Sequence, residues 1–198
     1  QWLSSGLMLL YWPVLASSMV STLIADAIAG ERERHTLETL LASRLPDSAI
    51  LYGKVIAAVL YGFTFAATNI MVGWVVVNVR YFDGNLMGIP LRQVFSLLAL
   101  LGTASFFVAG LGVFISLRAA TVRQAQQTFG VIMLLLFLAP VFVFQFVPAG
   151  IIETVSREAR TFGVERIVLW VSLGLGVLAI AVNVAAKARF RRGKLSLD

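Results

Sequence analysis

Long stretches without a charged residue alternate with short charged segments along the chain. Three of these stretches hold 25 residues each, one holds 29 and one holds 20. All exceed the roughly 18 apolar residues that mark a candidate transmembrane helix. In lipid only helices and closed barrels pair every backbone group, and barrels need short alternating strands, so continuous apolar runs predict helices. The stretches are 1–25, 55–79, 93–117, 124–152 and 167–186.

The pattern therefore predicts an all-α membrane protein with five transmembrane helices in a single domain, 1–198. The first helix is not a signal peptide, because no basic region precedes it and its apolar stretch is too long. Since the chain starts within an apolar stretch and without Met, we expect at least one preceding helix, six in all. The predicted helices cover about 3–29, 54–79, 94–117, 124–147 and 166–186.

Composition and charge support a membrane protein and predict its orientation. Hydrophobic residues make up 59% of the chain and charged residues 13%, with a mean hydropathy of +0.89, unlike a soluble globule. If the loops alternate sides, eleven of the sixteen Lys and Arg residues share the side of loop 30–54 and the C-terminus. The positive-inside rule makes that side cytoplasmic. Nucleic-acid binding is a weaker alternative, because no binding motif accompanies the charge.

The sequence predicts no catalytic, cofactor-binding or metal-binding site. Cysteine is absent, which excludes disulfides and thiolate chemistry. The lone His35 begins "HTLET", which is not the HExxH zinc pattern, and we expect an ordinary surface or interface histidine. Only Asp26 approaches the hydrocarbon, at the end of a span, whereas ion-driven carriers usually place charges at membrane depth. Any energy source is therefore expected to act from outside the bilayer.

Two further features predict how the helices are arranged. Small residues recur four apart in the third helix, at Ser105 and Ala109 and again at Gly112 and Ser116, which predicts close packing deep in the bundle. Between the fourth and fifth helices, residues 148–165 place apolar side chains at helical spacing in a segment too short to span. That pattern predicts an outer amphipathic or re-entrant segment.

Loop 30–53 interrupts the apolar pattern with the sign-alternating run "ERER". Glu31 with Arg34, and Arg34 with Glu38, have the spacing of helical ion pairs, so the first helix can continue out of the membrane. Thr36 is a plausible N-cap for a second short helix that ends before Pro46. In that helix the leucines at positions 37, 40 and 41 share one face. They can lie on the bilayer surface or enter a groove on a cytoplasmic partner. The nearly balanced charge of the loop favours the partner.

The stretch "AGERERHTLETLLASRLPDSAILYGK" resembles the cytoplasmic loop after the second helix in the ABC type-2 transporter permease family. There, Glu-Arg/Lys-Glu, then Thr-Leu-Glu, two leucines, a Pro and a closing Gly-Lys recur. The loop "RAATVRQAQQ" resembles the second, shorter cytoplasmic loop of that family. The resemblance covers nearly the whole chain if the five predicted spans correspond to family helices two to six.

The resemblance implies the membrane-spanning permease subunit of an ATP-driven exporter, in the inner (plasma) membrane of a prokaryote. It implies pairing with a second permease subunit, in a homo- or heterodimer, and docking of a coupling helix onto a separate ATPase subunit that binds ATP and Mg. The alternatives are a non-transporting scaffold that recruits a cytoplasmic partner, and a passive channel. The residues predicted to couple the permease to the ATPase are Glu31, Glu33, Arg34, Thr36, Leu37, Glu38 and Leu41.

Overall fold

All elements in the described part of the chain are helical, as the apolar pattern predicts. The computed structural model describes residues 6–36, 44–82, 84–86, 88, 91–148, 150–151, 153 and 164–190. The first helix continues without a break through a π-helical turn into a short final turn. The elements are α1 (Gly6–Ala25), the π-turn (Asp26–Gly30), α2 (Glu31–Glu33), α3 (Asp47–Arg80), α4 (Leu91–Ser116), α5 (Val122–Phe146) and α6 (Val164–Arg189).

Four helical stretches within the described ranges are long and apolar enough to cross a membrane. They are Pro13–Glu33, Asp47–Arg80, Leu91–Ser116 and Arg166–Arg189. They match the first, second, third and fifth predicted spans, and they confirm the all-α membrane fold. Helix α5, with 25 residues, lies where the fourth span is predicted. That this helix also crosses the membrane stays a prediction.

Helix α3 begins earlier than predicted, at Asp47 rather than near Lys54. Pro46 has an extended backbone, with φ −67° and ψ 145°, and lies directly before the helix. Asp47 lies in the first turn, where its negative charge interacts favourably with the positive end of the helix dipole. Lys54 is the charged residue directly before the apolar stretch 55–79, but its side chain is largely buried. The charge of Lys54 therefore belongs to a contact within the fold and does not mark the start of the helix. Because α3 begins at Asp47, the loop between the first two long helices is shorter than predicted.

Helix α4 lies at the centre of the bundle and packs against α1, α3, α5 and α6. Glycines allow its backbone to approach two neighbours closely. A Cβ added to Gly112 would lie 2.1 Å from Cγ2 of Ile24 in α1, and one added to Gly110 would lie 2.6 Å from Nδ2 of Asn183 in α6. Ser105 and Ala109 are also buried. The prediction that the third long helix lies deep in the bundle is confirmed.

The buried core is concentrated towards one end of the bundle. There, Ile24 and Ile28 pack with Leu51, Val55 and Val113. Six segments meet at this end, namely the π-turn, α2, the start of α3, the end of α4, the start of α5 and the end of α6. We call it the charged end, because the charged residues of α2 lie there. Many outward side chains are large and apolar, as expected for surfaces that face hydrocarbon.

Most of the predicted outer segment, 148–165, lies outside the described residues. Where the chain is described there, the amide of Ile151 donates to the carbonyl of Pro148 at 2.9 Å, as in a helical turn. The amphipathic or re-entrant character of this segment stays a prediction.

The contact between Gly112 and Ile24 predicts a strong effect of one methyl group. Gly112→Ala should destabilise the protein by about 1–3 kcal/mol, because overpacking a closed interface forces side chains and backbone to shift. Ile24 is fully buried. Thermal unfolding of the purified protein in detergent measures the change.

Gly174→Ala is the matched control, since Gly174 lies in α6 with nothing within 4 Å of an added Cβ. It should be neutral or slightly stabilising, because alanine is the better helix former. Equal unfolding temperatures for the two variants would contradict the close packing of α1 on α4.

Candidate functional site: the charged run and the π-turn

A serine hydroxyl from α4 is inserted into the backbone of the first helix at the π-turn. The Ala29 amide donates to Oγ of Ser116 at 2.9 Å, and that hydroxyl donates to the Ala25 carbonyl at 3.2 Å. In an α-helix, the amide of residue 29 would donate directly to the carbonyl of residue 25. The hydroxyl therefore takes the place of one helical hydrogen bond, a known cause of local bulges in helices.

Beyond the π-turn, hydrogen bonds from Arg32 connect the charged run, Glu31–Arg34, to the turn between α4 and α5. Its Nη1 donates to the Ala119 carbonyl at 2.9 Å, and its Nη2 donates to the Leu117 carbonyl at 3.0 Å. These carbonyls follow the last residue of α4, where the negative end of the helix dipole favours a cation. The guanidinium thereby binds two backbone carbonyls of the turn that follows α4.

Glu33 forms a hydrogen bond with the start of α5, next to the carbonyls that accept from Arg32. Its Oε2 accepts a hydrogen bond from the Val122 amide at 3.0 Å. A carboxylate is favourable at this position, because the first amides of a helix have no helical acceptor. Thr121 caps the same helix by accepting from the Gln124 amide at 3.2 Å. The Gln124 side chain in turn accepts from the Ala120 amide at 2.9 Å, in a variant of the capping box.

Glu31 joins the run to α3 through an ion pair with Lys54. The Lys54 ammonium lies 2.6 Å from Oε1 of Glu31, with 16% and 25% of the two side chains exposed. Lys54 also donates to the Ala27 carbonyl within the π-turn. The π-turn and the charged run are thus connected to the bundle by three side chains from three elements, namely Lys54, Ser116 and Arg32.

Arg34 pairs with Asp26 at 2.9 Å, so the predicted pair between Glu31 and Arg34 is wrong. The π-turn changes which residues share a face, and Lys54 offers Glu31 a partner in a more buried position. Both members of the Arg34–Asp26 pair are about half exposed or more. Such a pair contributes little to stability. Glu38, the other predicted partner of Arg34, lies outside the described residues.

The helix ends at a Schellman motif formed by His35 and Thr36. The His35 amide donates to the Arg32 carbonyl at 3.1 Å and the Thr36 amide to the Glu31 carbonyl at 2.9 Å. His35 has a φ of +56°, the left-handed conformation that this motif requires. Its side chain is exposed, as expected. The Thr36 hydroxyl donates to the Glu31 carbonyl at 3.2 Å, and the predicted capping of a following helix concerns residues that are not described.

The predicted coupling residues divide into two groups. Glu31, Glu33, Arg34 and Thr36 are described, and each has a partner within the chain. Leu37, Glu38 and Leu41, which define the apolar face of the predicted coupling helix, lie outside the described residues.

Three residues of this region were not predicted as functional, namely Arg32, Lys54 and Ser116. Ser116 was identified only as part of a small-residue pair, and Lys54 only as the closing residue of the "GK" motif. A signal for both was available, since each is a polar residue at the end of a long apolar stretch. Arg32 carries no signal that separates it from Arg34, because its role depends on a turn that lies far away in the sequence.

The site offers hydrogen bonds and charge, and the described residues contain no group of three His, Cys, Asp or Glu side chains that could hold a metal ion. Beside it, a groove of about 710 Å³ lies between the start of α3 and the end of α6, with Arg44 and Lys187 among its lining residues. The arrangement can transmit force, because polar contacts join the end of one long helix to three others.

Fold and site together define a multi-pass α-helical membrane protein with a structured charged end. The sequence profile of the ABC-2 family transporter proteins matches residues 10–172. The chain therefore belongs to the ABC-2 family and is a membrane permease of the ABC transporter type. Members of this family are generally non-catalytic membrane subunits that work with an ABC ATPase subunit. No match was found among the curated proteins or among the solved structures.

The insertion of Ser116 predicts a difference between two buried serines on one helix. Ser116→Ala should lower the free energy of unfolding by about 1–3 kcal/mol, because the variant loses both hydrogen bonds of the hydroxyl. Ser105→Ala should be neutral or stabilising, since Oγ of Ser105 is buried without a hydrogen-bond partner in the described part of the chain. Thermal unfolding in detergent gives the comparison. Equal losses for the two variants would show that the hydroxyl of Ser116 does not stabilise the π-turn.

The left-handed backbone of His35 predicts that glycine is better at this position. His35→Gly should raise the free energy of unfolding by about 1 kcal/mol, because glycine has no Cβ penalty there. His35→Val should lower it, since β-branched residues tolerate this conformation least. The same unfolding assay tests both variants, and a loss of stability in His35→Gly would contradict the Schellman motif.

Proposed function

We propose that this chain is the permease subunit of an ATP-driven exporter, coupled to a separate ATPase subunit through the segment that contains the charged run. The observation that carries the proposal is the set of hydrogen bonds from Arg32 to the carbonyls of Leu117 and Ala119. These bonds join the two segments that resemble the family's two cytoplasmic loops. A purely solvated charged loop has no need of such contacts.

The charged end is cytoplasmic in this proposal, and the inner (plasma) membrane is the location. The excess of Lys and Arg in the segments at this end supports the orientation. Both the segment that docks on the ATPase and the C-terminus then lie on the side where ATP is available. ATP and Mg bind to the ATPase, and this chain contributes no catalytic residue.

Residues of this segment have two main roles in the proposal, and Arg32, which the sequence did not predict as a coupling residue, shares the first of them. Glu31, Arg32 and Glu33 face other parts of the chain and fix the run to α3, to the turn after α4 and to the start of α5. Leu37, Glu38 and Leu41 contact the ATPase, with the leucines as apolar anchors in a groove and Glu38 setting the register. Arg34 and Thr36 shape the chain between the two groups, through Asp26 and the Schellman motif.

Movement passes from the ATPase to the pathway as a rigid-body shift. When ATP closes the ATPase subunits, the docked helices move with their grooves, and the charged run moves with them. Because the run is continuous with α1 and bonded to the turn between α4 and α5, these helices move together. A second permease subunit supplies the other half of the pathway, and the altered contacts between the two permeases open it to the opposite side.

The two roles predict two kinds of defect. Leu41→Asp or Glu38→Arg should lose co-purification with the ATPase, because the docking surface is disrupted. Arg32→Gln should retain the ATPase and its ATP hydrolysis but lose the ATP-dependent change in the permease, because the run is no longer fastened to the turn. Since the chain has no cysteine, a single spin label at Leu86→Cys, at the end opposite to the charged run, reports that change.

Arg123→Gln is the matched control, because Arg123 is an exposed arginine in the first turn of α5. It should keep binding, hydrolysis and the spectral change. The coupling role fails if Leu41→Asp and Glu38→Arg bind the ATPase normally. The transmitting role of Arg32 fails if Arg32→Gln responds to ATP as the parent protein does. A permease that conducts without ATP would instead indicate a passive channel.

A further inference from the structure

A cleft of about 410 Å³ opens between α4 and α5 at the charged end, next to the turn whose Ala119 carbonyl accepts from Arg32. Residues one helical turn apart line it on both sides, so it follows the two helices for roughly 10–12 Å. Its volume falls within the usual range for a bound small molecule, about 300–1,000 Å³. The lining residues include Leu111, Phe114 and Arg118 on one side and Gln124, Thr128 and Ile132 on the other.

The cleft is polar at its mouth and apolar at its inner end. Arg118 and Gln124 lie at the charged end, while Leu111 and Ile132 lie two turns deeper in the bundle. Near this inner end, α5 also carries exposed apolar side chains, and Val131 and Leu135 are 59% and 61% exposed. A molecule that fits this gradient has a polar group and a hydrocarbon part.

Arg118 lines the mouth of the cleft, and a second arginine contacts Phe114, another of its lining residues. Arg118 lies one turn beyond Phe114 on the same face, and the guanidinium of Arg189 lies 5.3 Å from the centroid of the Phe114 ring. This cation–π contact brings a positive charge from α6 to the side of the cleft. Of the described residues that line the cleft, none is acidic.

The acidic groups nearby are already engaged. Asp26 pairs with Arg34, Glu31 pairs with Lys54, and Glu33 accepts from the Val122 amide. The positive charge at the cleft is therefore not compensated by these carboxylates. Charge complementarity favours an anionic group there, and basic pockets between transmembrane helices commonly bind phospholipid headgroups.

We propose that this cleft binds an anionic phospholipid from the leaflet at the charged end. Its phosphate lies between Arg118 and Arg189, and the upper part of an acyl chain lies along Leu111 and Ile132. A free anion leaves the apolar inner half of the cleft unfilled. A lipid fills both halves without leaving the membrane, and it enters from the exposed apolar surface of α5.

Native mass spectrometry of the purified full chain, without any ATPase, tests the proposal with phosphatidylglycerol and phosphatidylcholine as probes. The parent protein should bind phosphatidylglycerol at least tenfold more tightly than phosphatidylcholine, a difference of about 1.4 kcal/mol. The double variant Arg118→Gln/Arg189→Gln should lose that preference. Arg80→Gln/Arg166→Gln removes the same charge at the opposite end of the bundle, and it should keep the preference.

A further variant separates the cleft from general attraction to a basic surface. Ile132→Trp fills the apolar end without a change in charge, and it should weaken phosphatidylglycerol binding several-fold. Millimolar glycerol phosphate should not displace the lipid, because it lacks the hydrocarbon part. Unchanged binding in Ile132→Trp, displacement by glycerol phosphate, or equal losses in the two double variants would each overturn the proposal. Because no ATPase takes part, the result is independent of the proposed coupling function.

Discussion

Buried backbone groups must find hydrogen-bond partners, and at the charged end the Ser116 hydroxyl is such a partner. The contacts of the charged run depend on this hydroxyl. Ser116 satisfies both the amide of Ala29 and the carbonyl of Ala25, which do not bond to each other directly. The resulting π-turn shifts the register of the residues that follow. Arg32 then reaches the end of α4, and Glu31 reaches Lys54 on α3.

These contacts make the charged run part of the folded bundle. A sign-alternating sequence is usually a solvated helix face with weak internal pairs. Here Glu31, Arg32 and Glu33 each bond to a different part of the chain. The groups that they bind include carbonyls of the turn after α4 and an amide at the start of α5 that has no helical acceptor. Charge at this site therefore stabilises a junction of helices. A junction of this kind is suited to passing movement between a partner and the membrane.

The sequence predicts the helices well because lipid imposes a simple rule on their length and composition. It predicts the central position of α4 from small residues such as Gly112, since only close approach needs them. It does not predict the π-turn, because that turn depends on Ser116, which is distant in sequence. The pairing of Arg34 with Asp26 instead of Glu31 follows from the same turn. Lys54 is misread as the start of a helix, because burial of its side chain is a property of the tertiary fold.

The hydrogen bonds of Arg32 make the charged run and the turn after α4 one rigid unit. Spin labels at His35→Cys and Ala120→Cys, in a chain that has no other cysteine, measure this rigidity directly by electron paramagnetic resonance. We expect a single narrow distance distribution that broadens when Arg32→Gln or Ser116→Ala is added. A broad distribution in the parent protein, or one that neither substitution changes, would contradict it.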